Sequence, residues 1–411
     1  MKSAAETTSE QGIQRVVLFS STLNQTGGGD RLLLELARGL EIQGVQVTII
    51  VLDFHPRALF EGQFAPPRLI VLGRPPSGIA FIWGWLKTVW KTRQVILAAR
   101  AQHIVAQSET NAIFVRLALC GHRIPYSIQI FGQMFQFPHD LTKYARVFRK
   151  HLPVIIESME GYRHTIPREM PRVNLLTKGL NEIAALARYI VVRGAHSRYV
   201  LSRQVAWETS LLYQRPSTVL RGAYSGRIFN ATPIARQHGT LLSLSRLVLK
   251  KNIHLAIEAF ALIARGKPSY KLLIGGTGPE RVRLESMVHT LGLANQITFI
   301  GYVPEAKLWE YYQSCAAFVM LDVADYNITL YEALALGSPV IVSLDQEIDE
   351  ALAQSALLHP TSLSAEAIAA QMCAALERKD ATLSATELNF LQSMSWDNYA
   401  RRVLMEISHA L

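Results

Sequence analysis

Short apolar runs alternate along this chain with longer stretches in which apolar residues recur every three or four positions. The short runs read as strands buried on both faces and the longer stretches as amphipathic helices. Their alternation is the βαβ signature of parallel sheets covered by helices. In the first half, RVVLFSS (Arg15 to Ser21) leads through NQTGGGD into the amphipathic DRLLLELARGLEIQG, and VQVTIIVLD returns as a strand. Arg68 to Leu72, His103 to Gln107, Tyr126 to Phe131 and Tyr189 to Arg193 are further expected strands. The second half restarts with TLLSLSR, a helix from Ile253 to Ala264, YKLLIGG, a helix from Glu280 to Leu291, QITFIGYV, a helix from Ala306 to Ser314, and AAFVML. After these comes ADYNITLYEALALGSPVIV. Between the halves, STVLRGAYSGRIFNATPIARQHG is rich in turn formers and loses the period, which marks a domain break near residue 220. The fold class expected is α/β, with two doubly wound, Rossmann-like domains covering 1–220 and 221–394 and a separate amphipathic helix in 395–411.

Composition adds limits. A chain of 411 residues with 49% hydrophobic content can bury two cores. Cys120, Cys315 and Cys373 stand far apart in no CxxC spacing, so neither a disulfide framework nor a zinc site is expected, and a reducing cytosol fits. The opening MKSAAETTSEQG has no apolar core, and no run approaches the roughly 18 apolar residues of a membrane span. The expected location is therefore cytoplasmic. The net charge of +10 is unevenly placed, since residues 1–220 hold 26 Lys and Arg against 14 Asp and Glu while the remainder is slightly acidic. A basic first half suits an anionic partner such as a lipid surface or a phosphorylated acceptor. Nucleic acid is not expected, because no aromatic and basic RNA-binding motif is present.

Several short stretches could carry chemistry. TGGGDR lies between a strand and a helix, where glycines let backbone approach a ligand and helix N–H groups suit phosphate. A tight turn with Asp30 capping the helix explains it equally well. In SLSRLVLKKN, Arg246 follows a strand and Lys251 comes five residues later, which places two cations at the carboxyl edge of a sheet, where α/β folds bind ligands. Arg supplies a fork for phosphate and Lys a point charge. IGGTGPE reads as a compact strand-to-helix connection. In the stretch from Ala324 to Val342, Glu332 is expected in the first turn of a helix ending at Gly337. There it either complements the helix dipole or accepts hydroxyl hydrogen bonds from a ribose beside a diphosphate on the helix N-terminus.

Together the order and spacing of these motifs resemble family 4 glycosyltransferases of the GT-B fold over nearly the whole chain. GGGDRLLLELARGL, LSRLVLKKNIHLAIEAFALI, LLIGGTGPERVRLESMVHTLGLANQITFIGYVP and EALALGSPVIV carry the resemblance. It implies a retaining transfer of a hexose from a nucleotide-diphosphate sugar, by family frequency UDP-glucose or another UDP-hexose, to a glycan or lipid-linked acceptor. Arg246 and Lys251 would neutralise the departing diphosphate as charge develops on it. Glu332 would hold the ribose, the backbone at Tyr302 and Val303 would meet the base, and Ile328 and Thr329 would offer N–H groups to phosphate. The preceding loop, Asp325, Tyr326 and Asn327, would border the donor, and Gly27 and Gly28 would approach from across the cleft. No cofactor and no metal are implied, because the two cations stand in for a metal ion. The final helix would cross back to the first domain.

The sequence also departs from the family pattern. Where the family has the first acid of an E-x7-E pair stands Ala324, with Asp325 one residue out of register. Asn327 replaces a customary glycine, which its tolerance of left-handed backbone would allow. Phe131 stands where a histidine is usual, and His103, His139 and His164 offer no evident substitute. Ala324 and Phe131 keep a non-catalytic nucleotide-sugar sensor open as an alternative, and a nucleotide-sugar epimerase or a sugar-phosphate synthase is the alternative within the same fold. In FIWGWLKTVWKTRQVILAAR, residues 81–100, Trp83, Leu86 and Trp90 share one helical face beside Lys87, Lys91 and Arg100, the composition of an interfacial helix. A core-packing helix with snorkelling lysines fits as well. Peripheral contact with the inner face of the plasma membrane is the functional expectation for this helix.

Overall fold

The computed structural model describes residues 13–24, 28–59, 65, 68–75, 81–131, 146–159, 174–222, 224–322, 326–377 and 381–409. In the first half, β1 (Arg15–Leu23), α1 (Gly28–Ile42), β2 (Gln46–Phe54), β3 (Arg68–Val71), α2 (Phe81–Ala98), β4 (His103–Gln107), α3 (Glu109–Ala118) and β5 (Tyr126–Ile130) follow in turn. They are succeeded by α4 (Arg146–Arg149), α5 (Leu152–Glu157), α6 (Leu175–Gly194), β6 (Arg198–Val200), α7 (Arg203–Tyr213) and β7 (Thr218–Val219). Among the described residues these strands form a parallel sheet in the order β3-β2-β1-β4-β5-β6-β7.

The second half repeats the scheme. It runs β8 (Gln237–Leu244), α8 (Ile253–Ala264), β9 (Lys271–Gly275), α9 (Arg281–Thr290), β10 (Ile297–Gly301), α10 (Glu305–Ser314), β11 (Cys315–Met320), α11 (Ile328–Ala335), β12 (Val340–Ser343), β13 (Leu358–Thr361) and α12 (Ala365–Glu377). The sheet order is β10-β9-β8-β11-β12-β13, again parallel. Both sheets therefore grow outward in two directions from their first strand, and each has a topological switch point, β1/β4 in one and β8/β11 in the other. Such points open a crevice at the carboxyl ends of the strands. The α/β class with two doubly wound sheets is as the alternation of apolar runs implied.

One expected strand is not a strand. Tyr189 to Arg193 lies inside α6, whose N-cap Asn174 accepts a hydrogen bond from Thr177 N–H at 2.7 Å. The apolar run YIVV is the end of a helix with Val191 and Val192 buried, and a short apolar run cannot be assigned by periodicity alone. The three-residue β6 takes that place in the sheet instead.

The last helices, α13 (Ala385–Ser393) and α14 (Trp396–Ser408), return across the molecule. Trp396, Tyr399, Ala400, Val403 and Ile407 form the buried stripe of α14, at the spacing expected of one helical face. This stripe packs on α1 so closely that Gly39 leaves no room for a Cβ against Ala400. Gly222 in the connecting segment is similarly closed off by Trp396 and Tyr399. Gly39→Ala should therefore destabilise the protein by roughly 1–3 kcal/mol through overpacking, although Ala is the better helix former by about 1 kcal/mol. Urea melts check this. In an Ala400→Gly background the same change should become neutral or stabilising, and an equal penalty in both backgrounds would show that the packing explanation is wrong.

Candidate active site

The described residues among the expected site lie on loops and helices that follow the carboxyl ends of β1, β8, β10 and β11, so both switch points contribute. After β8 the chain turns at Ser245, whose N–H donates to Gly275 O at 3.1 Å, and Leu247 N–H donates to Thr277 O at 2.9 Å. Gly276 has φ +119, and a Cβ there would collide with the Ser245 carbonyl. The glycines of IGGTGPE thus let one loop lie backbone to backbone on the loop that carries Arg246, a compact connection rather than a ligand cradle. Arg246 itself is exposed and has no carboxylate partner among the described residues.

Lys251 closes a short 3-10 turn that ends with Asn252 in left-handed backbone, φ 51. Asn252 Nδ2 donates to Leu321 O at 2.9 Å, which ties this turn to the end of β11. Lys251 Nζ consequently pairs with the carboxylate of Asp322, which is buried just beyond β11. Asp322 was not anticipated from the sequence. Its one signal is an acid directly after an apolar strand at the switch point.

Ala324, Asp325 and Gly27 lie outside the described residues, as do His139 and His164. Tyr326 is buried and its hydroxyl donates to Gly222 O at 2.8 Å, so its side chain fastens the loop to the interdomain segment. Asn327 is extended at φ −128, ψ 116, which corrects the expectation of left-handed backbone there, and its Nδ2 donates to Gln346 Oε1 at 2.7 Å. Ile328 and Thr329 are the first two residues of α11, where helix N–H groups lack intrahelical acceptors. A Cβ on Gly28 would stand 3.7 Å from Ile328 Cδ1, so the start of α1 and the start of α11 face each other.

Glu332 is the fifth residue of α11, not part of its first turn, so the dipole-cap reading loses its geometric basis. It is 2% exposed, and Arg31 Nη1 of α1 reaches it from the other domain at 3.3 Å. Arg31 is in turn 4.0 Å from Glu35 Oε1 and its guanidinium carbon lies 5.8 Å from the centre of the Trp396 ring. Burial, and then the Glu332 carboxylate, push the hydroxyl of Tyr224 above its ordinary range, and Tyr312 is raised by the same two causes in the same order. Arg31 is the second residue the sequence did not single out. Its i,i+4 spacing to Glu35 was visible, but its partner lies 301 positions away.

Tyr302 is exposed and Val303 half-buried, immediately after β10. Gly276 N–H donates to Gly301 O at 2.6 Å, so this edge stands beside the Arg246 loop. In the first domain, Phe131 is partly buried against the core. His103 begins β4, at the end of the sheet away from the cleft, with its Nε2 2.8 Å from Ser127 Oγ. Burial, helped by the charge of His196, pushes the His103 pKa down to about 3, so it is neutral at physiological pH. Among the described residues no three His, Cys, Asp or Glu side chains gather as metal ligands.

Residues 27–208 match the family model described as Glycosyl transferase 4-like domain, and residues 226–389 match Glycosyl transferases group 1. The chain belongs to the family 4 glycosyltransferases of the GT-B fold. This glycosyltransferase is similar in fold to the Anabaena protein Alr3699/HepE solved with UDP and glucose, with TM-score 0.68 and 15% identity over 96% of this chain and 99% of the other. It is similar also to sucrose-phosphate synthase of Thermosynechococcus elongatus, with TM-score 0.69 and 16% identity over 97% and 99% of the two chains. By sequence it is 28% identical to the alpha-monoglucosyldiacylglycerol synthase of Streptococcus pneumoniae over 168 residues, 40% of this chain and 37% of that protein. A GDP-mannose-dependent mannosyltransferase of phosphatidylinositol monomannoside from Mycobacterium tuberculosis is 33% identical over 110 residues, 25% of this chain and 29% of that protein. The sequence matches span about a quarter to two fifths of the length of these curated relatives.

Proposed function

We propose that this glycosyltransferase moves a hexose from a UDP-hexose, UDP-glucose by default, to a glycan or lipid-linked acceptor, with retention at the anomeric carbon and without a metal ion. The observation that supports this best is that the loop carrying Arg246 and Lys251 follows β8 and is tied through Asp322 to the end of β11, at the switch point from which the chain leads into α11 and Glu332. Two cations and a helix N-terminus supply the positive field in which a diphosphate leaving group gains charge, the work a metal ion does elsewhere. Glu332 accepts the ribose hydroxyls, the edge at Tyr302 and Val303 meets the base, and Gly27 and Gly28 close from the first domain. Asp325, Tyr326 and Asn327 form the loop beside the sugar. The domain limits that go with this reading are 1–220 and 221–394, with 395–411 completing the first domain.

UDP and glucose in the Anabaena protein favour this donor, and the lipids named for the pneumococcal and mycobacterial relatives favour a lipid-linked acceptor. The protein acts at the cytoplasmic face of the membrane through peripheral contact along residues 81–100. In support, Trp83, Leu86 and Trp90 all point to solvent, so the core-packing alternative for that face fails. No described helix is long and apolar enough to cross a membrane.

Incubation with UDP-, GDP- and ADP-sugars, followed by measurement of free nucleotide and mass detection of products, tests the reading. UDP should be released from UDP-glucose or a related UDP-hexose faster than GDP or ADP from their sugars. Binding with no nucleotide release would identify a sensor instead, and a new nucleotide sugar with no free nucleotide would identify an epimerase.

A further inference from the structure

The helix α6 carries its apolar residues on the wrong side for a water-soluble surface. Leu175, Leu176, Leu180, Ile183, Leu186 and Ile190 are all between 54% and 86% exposed. Leu176, Leu180, Ile183 and Ile190 recur at intervals of four, three and seven, a single stripe along the helix. The polar residues Asn181, Glu182 and Arg188 are half-buried on its flanks, and Glu182 accepts from Arg146 N–H at 3.0 Å. Ala185, Val191 and Val192 are buried in the core and Tyr189 packs against it. Isolated exposed apolar residues are ordinary, but a contiguous stripe over about four turns marks a surface that something covers.

We infer that α6 is a lipid-docking helix, and that it forms with α2 a platform that seats the first domain on an anionic membrane surface. The proposal deepens the peripheral contact proposed above for α2, and it rests on that reading for the choice of lipid. Both helices pack against α3 and contribute to the same core on one side of the sheet, so their outward faces belong to one side of the domain. The helices α2, α3 and α6 hold seven Lys and Arg against two acids, Glu109 and Glu182, which suits anionic headgroups. Trp83 and Trp90 on α2 supply the amphipathic rings that sit at headgroup level. A second protein copy fits less well. The α6 stripe, ~24 Å long and ~10 Å wide, offers roughly 240 Å², whereas a stable protein interface buries about 800 Å² on each partner. A bilayer needs no such area and no matching shape.

Flotation with vesicles of phosphatidylglycerol and phosphatidylcholine, against phosphatidylcholine alone, tests this with the full chain. The wild type should float with the anionic vesicles, and Leu180→Ser combined with Ile183→Ser should bind them at least tenfold more weakly. Both positions are exposed, so the thermal midpoint and donor hydrolysis without vesicles should be unchanged. If the wild type floats and the α6 variant floats equally, the inference about α6 is overturned while the α2 contact stands. A variant with Trp83→Ala and Trp90→Ala then tests α2 separately. A wild type that does not float overturns both. Light scattering that shows a wild-type dimer and a monomeric α6 variant would make a second copy the occupant, which also overturns the inference.

Discussion

Arg246→Ala is expected to lower kcat for nucleotide release by at least about a hundredfold, with a melting temperature within a degree or so of the wild type. The rate effect is that of removing one preorganised charge from the place where a leaving group becomes anionic, typically a factor of 10² to 10³. The stability should hold because the guanidinium is exposed and makes no ion pair among the described residues. Lys251→Ala should lose a comparable factor in kcat but behave differently on melting. Its ammonium is the counter-ion of Asp322, whose side chain is 4% exposed, and removing one partner of a buried pair strands the other charge at a cost of about 3–5 kcal/mol. Asp322→Asn in the Lys251→Ala background should return much of that stability and none of the rate. Steady-state kinetics beside thermal melts separate the two effects. Rates within a few fold of wild type for both variants would remove these residues from the leaving-group role. Equal melting losses in both would mean that the ion pair with Asp322 is not what distinguishes them.

The contrast between Arg246 and Lys251 also marks how far the sequence could be read. Strand and helix limits were plain where a pattern ran its full length, and His103–Gln107 and Ile253–Ala264 coincide with the elements found. They failed where an apolar run was short, as at Tyr189 to Arg193, and where a strand carried little apolar pattern, as in Leu358–Thr361, which contains His359 and Pro360. Glu332, Lys251 and Arg246 were legible because fixed spacing within a βαβ unit places a residue at a strand end. Arg31 and Asp322 were not, since each owes its meaning to a partner on another element. Asp322 meets Lys251 at a separation of 71 positions, and Arg31 meets Glu332 across the cleft. Periodicity reports which face a residue is on and says nothing of which distant charge will stand opposite it.

The same limit hid a residue whose loss should cost as much stability as that of Lys251. Arg221 sits in the segment between the domains and is 7% exposed. Its Nε donates to Leu201 O at 2.7 Å, one terminal nitrogen pairs with Glu347 and the other with Asp349, and the guanidinium carbon lies 5.8 Å from the centre of the Tyr326 ring. Burial opposes its charge, but Tyr331, Asp349 and Glu347 outweigh burial and hold the guanidinium above its ordinary pKa. The two acids have further partners: Glu347 accepts from Arg203 Nε at 3.2 Å and from Gln204 N–H at 3.1 Å, and Asp349 accepts from the Tyr331 hydroxyl at 2.7 Å. One fork therefore joins the first sheet, the interdomain segment and the loop after β12. Arg221→Ala should cost about 3–5 kcal/mol, because it leaves two carboxylates without their shared cation and one carbonyl without its donor. Arg221→Lys should recover less than half of that, since a point charge cannot serve two carboxylates and a carbonyl at once. Glu347→Gln with Asp349→Asn should be milder in the Arg221→Ala background than alone, the positive coupling expected of residues in one network. Urea melts that follow each domain show the outcome. A loss below about 1 kcal/mol for Arg221→Ala would mean that solvent replaces the guanidinium and that the interdomain segment is held mainly by Tyr224, Gly222 and the packing of α14.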